Sequence, residues 1–190
     1  LKDGEFLMTI LSSVAQQEVE NTSAYVKKGL KMKMKRGELV GFQGCLGYDY
    51  DVNTKSISIN EEGAKTVRYI FDRYVAGAGS TMIARELNEQ GILTIKGNPW
   101  VSSSVMGIIN NEKYKGDILL GKTFTVDPIS KRRLDNLGEE DRYYIHNHHE
   151  GIVSEETFDR AQEIRNRRNG GRKHNVTPGK REKFSRQYAF

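Results

Sequence analysis

The residues that decide the fold run from Ser80 to Asn111, STMIARELNEQGILTIKGNPWVSSSVMGIINN. They read as two short helices joined by a turn-rich connector. Ser80 is placed to cap the first, its hydroxyl accepting from an orphan amide of the opening turn. Ile83, Ala84 and Leu87 fall at helical spacing, and Gly91 stands where a left-handed residue ends a helix. Beyond the connector, Ser102 or Ser103 can cap a second helix carrying Val105, Met106, Ile108 and Ile109. Such a pair suggests a helix-turn-helix, whose second helix enters the DNA major groove. The spacing opposes a standard one, whose turn has about three or four residues, because Gly91 to Val101 intervene here. The pattern by itself gives a helix, a loop and a helix in a basic protein. A small helical core would produce the same periodicity.

The 190 residues suffice for one large or two small domains. A net charge of +5 and a pI near 9.2 favour a polyanionic partner only mildly, so the distribution of charge matters more than its sum. A hydrophobic share of 36% and a mean hydropathy of −0.66 argue against a membrane protein. No apolar run approaches the roughly 18 residues that a spanning helix needs. The opening LKDGEFLMTI is amphipathic rather than the apolar core of a signal peptide. The single cysteine, Cys45, excludes an intramolecular disulfide and a cysteine-based zinc site within the chain. These features predict a cytoplasmic protein. The chain also reads as cut at both ends, opening on Leu1 in or near a helix and stopping on Tyr188-Ala189-Phe190.

From Glu5 to Arg36 there is no proline, and Leu7, Ile10, Leu11 and Val14 mark an apolar stripe that thins toward Tyr25, Val26 and Leu30. A helix of that length spans about 45 Å at 1.5 Å per residue. Its last turns hold Lys27, Lys28, Lys31, Lys33, Lys35 and Arg36. They suit the negative end of the helix dipole as solvated cations, or can contact phosphates. Gly37 to Gly47 is dense in glycine, which permits a chain to lie along the floor of a narrow groove but also describes a plain linker. Cys45 has no partner positioned to activate it and reads as a small, partly buried side chain. Tyr48 to Ile59 reads as a hairpin. Asn60 then caps a helix with Glu61 and Glu62 in its first turn and an apolar face of Ala64, Val67, Ile70, Phe71, Tyr74 and Val75.

In the connector, Trp100 is expected to anchor the two helices together rather than stack on a base. Asn110, Asn111 and Tyr114 end the second helix. Gly116 to Val126 suggests one strand with a glycine bulge, turned by Asp127-Pro128, then a mobile loop from Lys131 to Asp141 and a strand-like Arg142 to His146. His146, His148 and His149 lack carboxylate or cysteine companions at a ligand spacing and read as surface histidines. Ser154 caps a last helix with Phe158, Ala161 and Ile164 on its core face, ending at Arg165, Arg167 and Arg168. After Gly170-Gly171 a basic, polar linker follows. No phosphate loop, carboxylate pair, serine triad or metal motif is present.

The order of these elements resembles the large serine recombinases, relatives of resolvase and DNA invertase. FLMTILSSVAQQEVENTSAYVKKGLKMKMKRGE is similar to the long helix that follows their catalytic domain, and GCLGYDYD stands where the family has a short turn. EEGAKTVRYIFDRYVAGAGSTMIARELNEQGI and PWVSSSVMGIINNEKYKGDILLGKT resemble the family's recombinase domain. HHEGIVSEETFDRAQEIRNRR is similar to its closing helix, and FSRQYAF to the lead-in to a zinc ribbon. Gly44-Cys45-Leu46 departs from the family, which often has prolines there. The resemblance implies that the whole protein cuts two DNA sites through a phosphoserine linkage, exchanges half-sites and religates them. It also implies that the catalytic domain precedes Leu1 and that a zinc-binding domain follows Phe190. This chain would then hold no catalytic, cofactor or metal residues of its own.

The combined expectation is an α+β fold, a mixed helical domain with a helix-turn-helix-like pair and small β-hairpins, preceded by a long projecting helix. Residues 1–36 form the linking helix, 37–47 a glycine-rich linker, 48–168 the DNA-binding domain and 169–190 a basic linker. The hairpin, the helix pair, the strands after Gly116 and the last helix are expected to share one core. The expected partner is double-stranded DNA at attachment or transposon-end sites, with no membrane, and the helix over 5–30 is expected to self-associate. Phosphate contacts are assigned to Lys31, Lys33, Lys35 and Arg36, and groove contacts to Gly41, Gln43 and Gly44. Lys96, Ser102, Ser103, Ser104, Asn110 and Lys113 contact DNA from the helix pair, and Arg172 and Lys173 from the basic linker. A transcription regulator without chemistry and a coiled-coil interaction protein are the competing readings.

Overall fold

The computed structural model describes residues 2–39, 42, 44–126 and 132–173. Among them are α1 (Lys2–Lys35), β1 (Tyr48–Asp51), β2 (Ser56–Ile59), α2 (Glu61–Val75), α3 (Ser80–Glu89) and α4 (Ser102–Ile109). A 3-10 turn (Glu112–Lys115), β3 (Ile118–Leu120), β4 (Thr123–Thr125), β5 (Arg133–Asp135), β6 (Tyr143–Ile145) and α5 (Glu155–Lys173) complete the order. The fold is α+β, as expected, and opens on the long helix. Its contacts divide into two compact units, residues 1–43, 50–56 and 117–148 in one, and 44–49, 57–116 and 149–190 in the other.

The first unit departs from the expected single core, because the strands after Gly116 group with α1 instead of with the helices. They have their own partners. The supposed single strand breaks at Gly121, whose φ of +77° is left-handed. β3 then pairs antiparallel with β6, Ile118 opposite Ile145, while β4 pairs antiparallel with β5, Thr123 opposite Asp135. The stretch read as a mobile loop therefore contains β5. Its turn is organised by Asn136, 2% exposed, whose Nδ2 donates to Gly121 O at 2.9 Å and Glu140 O at 2.7 Å. Glu140 in turn bridges Lys27 and Lys31, one helical turn apart on α1, the second at 3.0 Å. The expected turn at Asp127-Pro128 lies outside the described residues.

The second unit is built on α2, whose buried Ala64, Val67, Ile70, Phe71 and Tyr74 face α3, α4 and α5. Asn60 caps α2 as expected, its Oδ1 accepting from Gly63 N at 3.2 Å. Ile83, Ala84 and Leu87 from α3, Val105 and Ile109 from α4, and Phe158 and Ala161 from α5 fill the rest. Glu86 on α3 ties back to α2, accepting from Tyr69 Oη and Arg73 Nε, each at 2.9 Å. Arg73 holds the Glu86 carboxyl below the usual range. Arg168 closes the far end of α2: it donates to Gly77 O at 2.8 Å and Ala78 O at 3.1 Å and lies over the Tyr74 ring. Orphan carbonyls at a helix end are thus satisfied from α5. That helix continues through Gly170-Gly171 to Lys173, where a linker was expected.

Tyr48 ties the non-helical segments together. Its hydroxyl accepts from Ile152 N at 3.1 Å and shares its proton between Lys113 O and Glu150 O, each at 3.0 Å. Burial pushes this phenol's pKa up, so it stays a donor. The neighbouring backbone comes so close to α2 that a Cβ on Gly63 would sit 2.6 Å from Gly47 N. Tyr48→Phe keeps the ring and strands the buried Ile152 amide, at a cost of about 1–3 kcal/mol. A urea titration should show a lower midpoint for this variant with an unchanged slope.

Candidate nucleic-acid interface

The N-terminus of α4 is the centre of the candidate site. Trp100, 4% exposed, precedes it and is clamped by Asn88 of α3: Trp100 N donates to Asn88 Oδ1 at 2.7 Å, and Asn88 Nδ2 to Trp100 O at 2.9 Å. The tryptophan therefore anchors the helix pair, as read from the sequence. Trp100 and the buried Val105 occupy the two positions that staple a helix start. The caps differ from expectation. Gly79, not Ser80, is the N-cap of α3, and Val101, not Ser102 or Ser103, that of α4. Each serine begins its helix one residue later, and the Ser80 and Ser102 hydroxyls bond each other at 2.8 Å. Ser104 reaches back to α4's start, its Oγ accepting from Val101 N at 3.0 Å and donating to Val101 O at 2.7 Å. Of the serine run, Ser103 is the exposed one.

Beside this helix start lies an open groove of about 400 Å³, to which Gly44, Lys96 and Ser104 contribute from three separate segments. Ile95, Val101, Ile108 and Asn111 also line it. The turn that carries Lys96 is held by Thr94 and Asn98, with Thr94 N donating to Asn98 O at 2.9 Å and Gly97 N to Thr94 O at 2.8 Å. Asn111 does not extend α4; it caps the 3-10 turn, its Oδ1 accepting from Lys113 N at 3.4 Å. Its Nδ2 donates to Cys45 Sγ at 3.4 Å. Burial raises the Cys45 thiol's pKa, which opposes thiolate chemistry.

The lining of the groove beside α4 holds Lys96 and no carboxylate. The groove along α5 is lined by Glu156, Asp159 and Glu163, and the one between α3 and α4 includes Glu89. The arginines Arg160, Arg167 and Arg168 offset the acids of the first and Arg85 that of the second, so the Lys96 groove is set apart by having no acid rather than by an excess of cations.

The remaining residues assigned from sequence do not all gather here. Asn110 is the C-cap of α4, roughly 10 Å along the axis from Ser103. Lys113 is half-buried in the 3-10 turn, and its carbonyl is taken by Tyr48 and His149. Lys31, Lys33, Lys35 and Arg36 belong to the first unit. There a groove of about 350 Å³ is lined by Lys27, Lys28, Lys31 and Lys35, four of the six cations that the sequence grouped at the end of this helix. Lys31 is already engaged by Glu140, whose carboxylate raises its pKa, whereas Lys33 is exposed. Arg36 pairs with Glu38 at 2.9 Å. Gly41 and Gln43 lie outside the described residues. Arg172 and Lys173 fall on the last turn of α5, where the backbone alone is described.

The histidines have structural surroundings. His149 Nε2 lies 2.8 Å from Lys113 O, and His146 Nδ1 lies 3.6 Å from the buried Asp117. Among the described residues no group of three or more His, Cys, Asp and Glu is placed to hold a metal ion, and no helix is long and apolar enough to cross a membrane.

The Recombinase family model matches residues 61–168, more than half of the chain. A "Putative DNA recombinase" of Bacillus subtilis (strain 168) is 26% identical over 121 residues, which is 60% of this chain and 24% of the relative. The chain thus spans about a quarter of that protein's length. A crystal structure of an LSR–DNA complex is 26% identical, with a TM-score of 0.49 over 74% of this chain and 38% of that one. A structure concerned with the Listeria innocua prophage attP site is 24% identical, with a TM-score of 0.50 over 75% and 52%. The latter likeness is one of fold. From Asn60's cap through the α2–α5 core to Arg168, the chain belongs to the Recombinase family.

Proposed function

We propose that this chain is the sequence-specific DNA-binding portion of a serine recombinase that acts at the ends of a mobile element. The observation that carries the reading is the meeting of Gly44, Lys96 and Ser104 on one carboxylate-free groove beside the start of α4. In helix-turn-helix proteins that end of the second helix faces base edges. Ser103, exposed on the first turn, offers a hydroxyl that can bond either a base or a phosphate. The lysines of α1 supply the sequence-independent grip. The whole protein would cut, exchange and religate DNA through a serine outside this chain, and a further domain would bind zinc. The exposed stripe of Leu7, Ile10, Leu11 and Val14 on α1 would serve self-association. We place the protein in the cytoplasm, where its DNA lies.

Three outcomes test this reading. Incubated with duplex target and a divalent metal, the chain should bind but neither nick DNA nor become attached to it. A protein–DNA adduct surviving denaturation, seen on a gel, refutes the assignment of chemistry to another domain.

Lys33→Gln should weaken binding to every duplex alike and lower the slope of log K against log salt by about one unit. Titrations at several salt concentrations on cognate and random DNA measure it.

Ser103→Tyr should cost roughly 1–3 kcal/mol more on the selected site than on random DNA, the scale of one base contact. Equal losses on both would mean that α4 holds phosphate and reads no base.

A further inference from the structure

Val101 breaks two local rules at one position. It is the N-cap of α4, a place where Ser, Thr, Asp and Asn are strongly preferred and a β-branched aliphatic residue is disfavoured. The residue is also 55% exposed, so its isopropyl group serves neither the cap nor the core. Ser104 supplies only the reciprocal half of a capping box: its Oγ accepts from Val101 N, while both its hydroxyl and its backbone N–H donate to Val101 O. The result is an exposed aliphatic group at the N-cap of the helix pair's second member. A local rule broken at an exposed position, with a compensating contact beside it, marks a functional requirement.

The surroundings say what that group faces. Val101 lines the carboxylate-free groove and the groove between α3 and α4, so it forms the ridge between them. Exposed Lys96 lines the same groove, as does Ile95, also 55% exposed, and Ser103 lies exposed two residues after Val101 on the first turn of α4. An aliphatic residue with a cation and a hydroxyl beside it suits a surface that is anionic overall and carries an isolated apolar group. In a DNA major groove, the thymine 5-methyl is that group. A second copy of this protein would bring its own cations to Lys96, which disfavours it as the occupant.

We propose that Val101 reads thymine, packing its isopropyl group against a 5-methyl in the major groove while Lys96 meets the neighbouring phosphate. Ile95 offers a second aliphatic surface in the same groove. This rests on the DNA-binding reading given above and adds the base that is read and the residue that reads it.

The test isolates the methyl group. A duplex is selected from a random pool by binding to the unaltered chain, then synthesised with thymine or with deoxyuridine, which pairs identically and lacks only the methyl. The unaltered chain should prefer the thymine duplex by about three- to fivefold per methyl contacted, the scale of burying one such group. Val101→Ser supplies a preferred N-cap, so its thermal midpoint should hold or rise while its thymine preference falls to near one. Val101→Thr keeps the side-chain shape and should show an intermediate preference. Lys96→Gln should weaken both duplexes and keep the preference intact. Retention of the full thymine preference by Val101→Ser overturns the proposal, as does equal binding of the two duplexes by the unaltered chain. A change in sedimentation of the free Val101→Ser chain, with thymine preference unaltered, would assign the residue to self-association instead. Failure to select any duplex would overturn the DNA-binding reading itself, a result distinguishable from loss of methyl discrimination.

Discussion

One buried hydroxyl fixes how the irregular parts of the second unit meet its helices. Tyr48 lies 65 residues from Lys113 and 104 from Ile152, yet bonds both. Closing such distances in sequence costs chain entropy that grows slowly with length, so a few well-placed contacts suffice to hold them. The phenol serves as donor and acceptor at once, meeting two carbonyls and one amide. Around it the chain runs so close to α2 that Gly47 and Gly63 leave no space for side chains. This packing sets Cys45 in the interior and brings Gly44 within reach of Ile95, 4.0 Å from where a Cβ would lie. The groove at α4 therefore depends on residues that touch no ligand.

Net charge alone said little about function, because +5 in 190 residues is ordinary. The informative quantity is the sorting of carboxylates. Glu156, Asp159 and Glu163 line the groove on α5, while Glu61, Glu86 and Glu140 are each committed to a cation. The groove with Lys96 is left without an acid. Exposed pairs of this kind add little to stability. Their effect is on where a polyanion can settle without repulsion.

The sequence was most legible where structure is local. Asn60 with Glu61 and Glu62 announced α2, and the apolar spacing of Ala64 to Tyr74 named its buried face. Gly91 ends α3 with a left-handed φ of +71°, as its position after Leu87 suggested. Ser80 and Ser102 were harder, since a serine one residue inside a helix and one at its cap look alike in sequence. Backbone torsion at Gly79 and Val101 decides between them. β5 was hidden because Arg133, Leu134 and Asp135 are all exposed, so no alternation of burial shows in their side chains. Only pairing with β4 makes them a strand. The α5 extension was masked by Gly170-Gly171, residues with poor helix propensity that the helix nonetheless includes. For the site, Lys96, Gly44 and Ser104 could be named singly. That they converge required the fold, because 60 residues separate the first segment from the last.

Glu140's bridge to Lys27 and Lys31 gives α1 a rotational reference. Each residue of an α-helix advances the azimuth by about 100°. The apolar stripe at Leu7 to Val14 and the bridged lysines are thus locked in phase by the number of residues between them. Adding one residue between Val14 and Lys27 would swing the stripe about a quarter-turn around the axis while leaving every side chain's chemistry intact. Substitutions along that span face no such constraint. The intervening helix acts as a shaft whose length is specified more tightly than its composition.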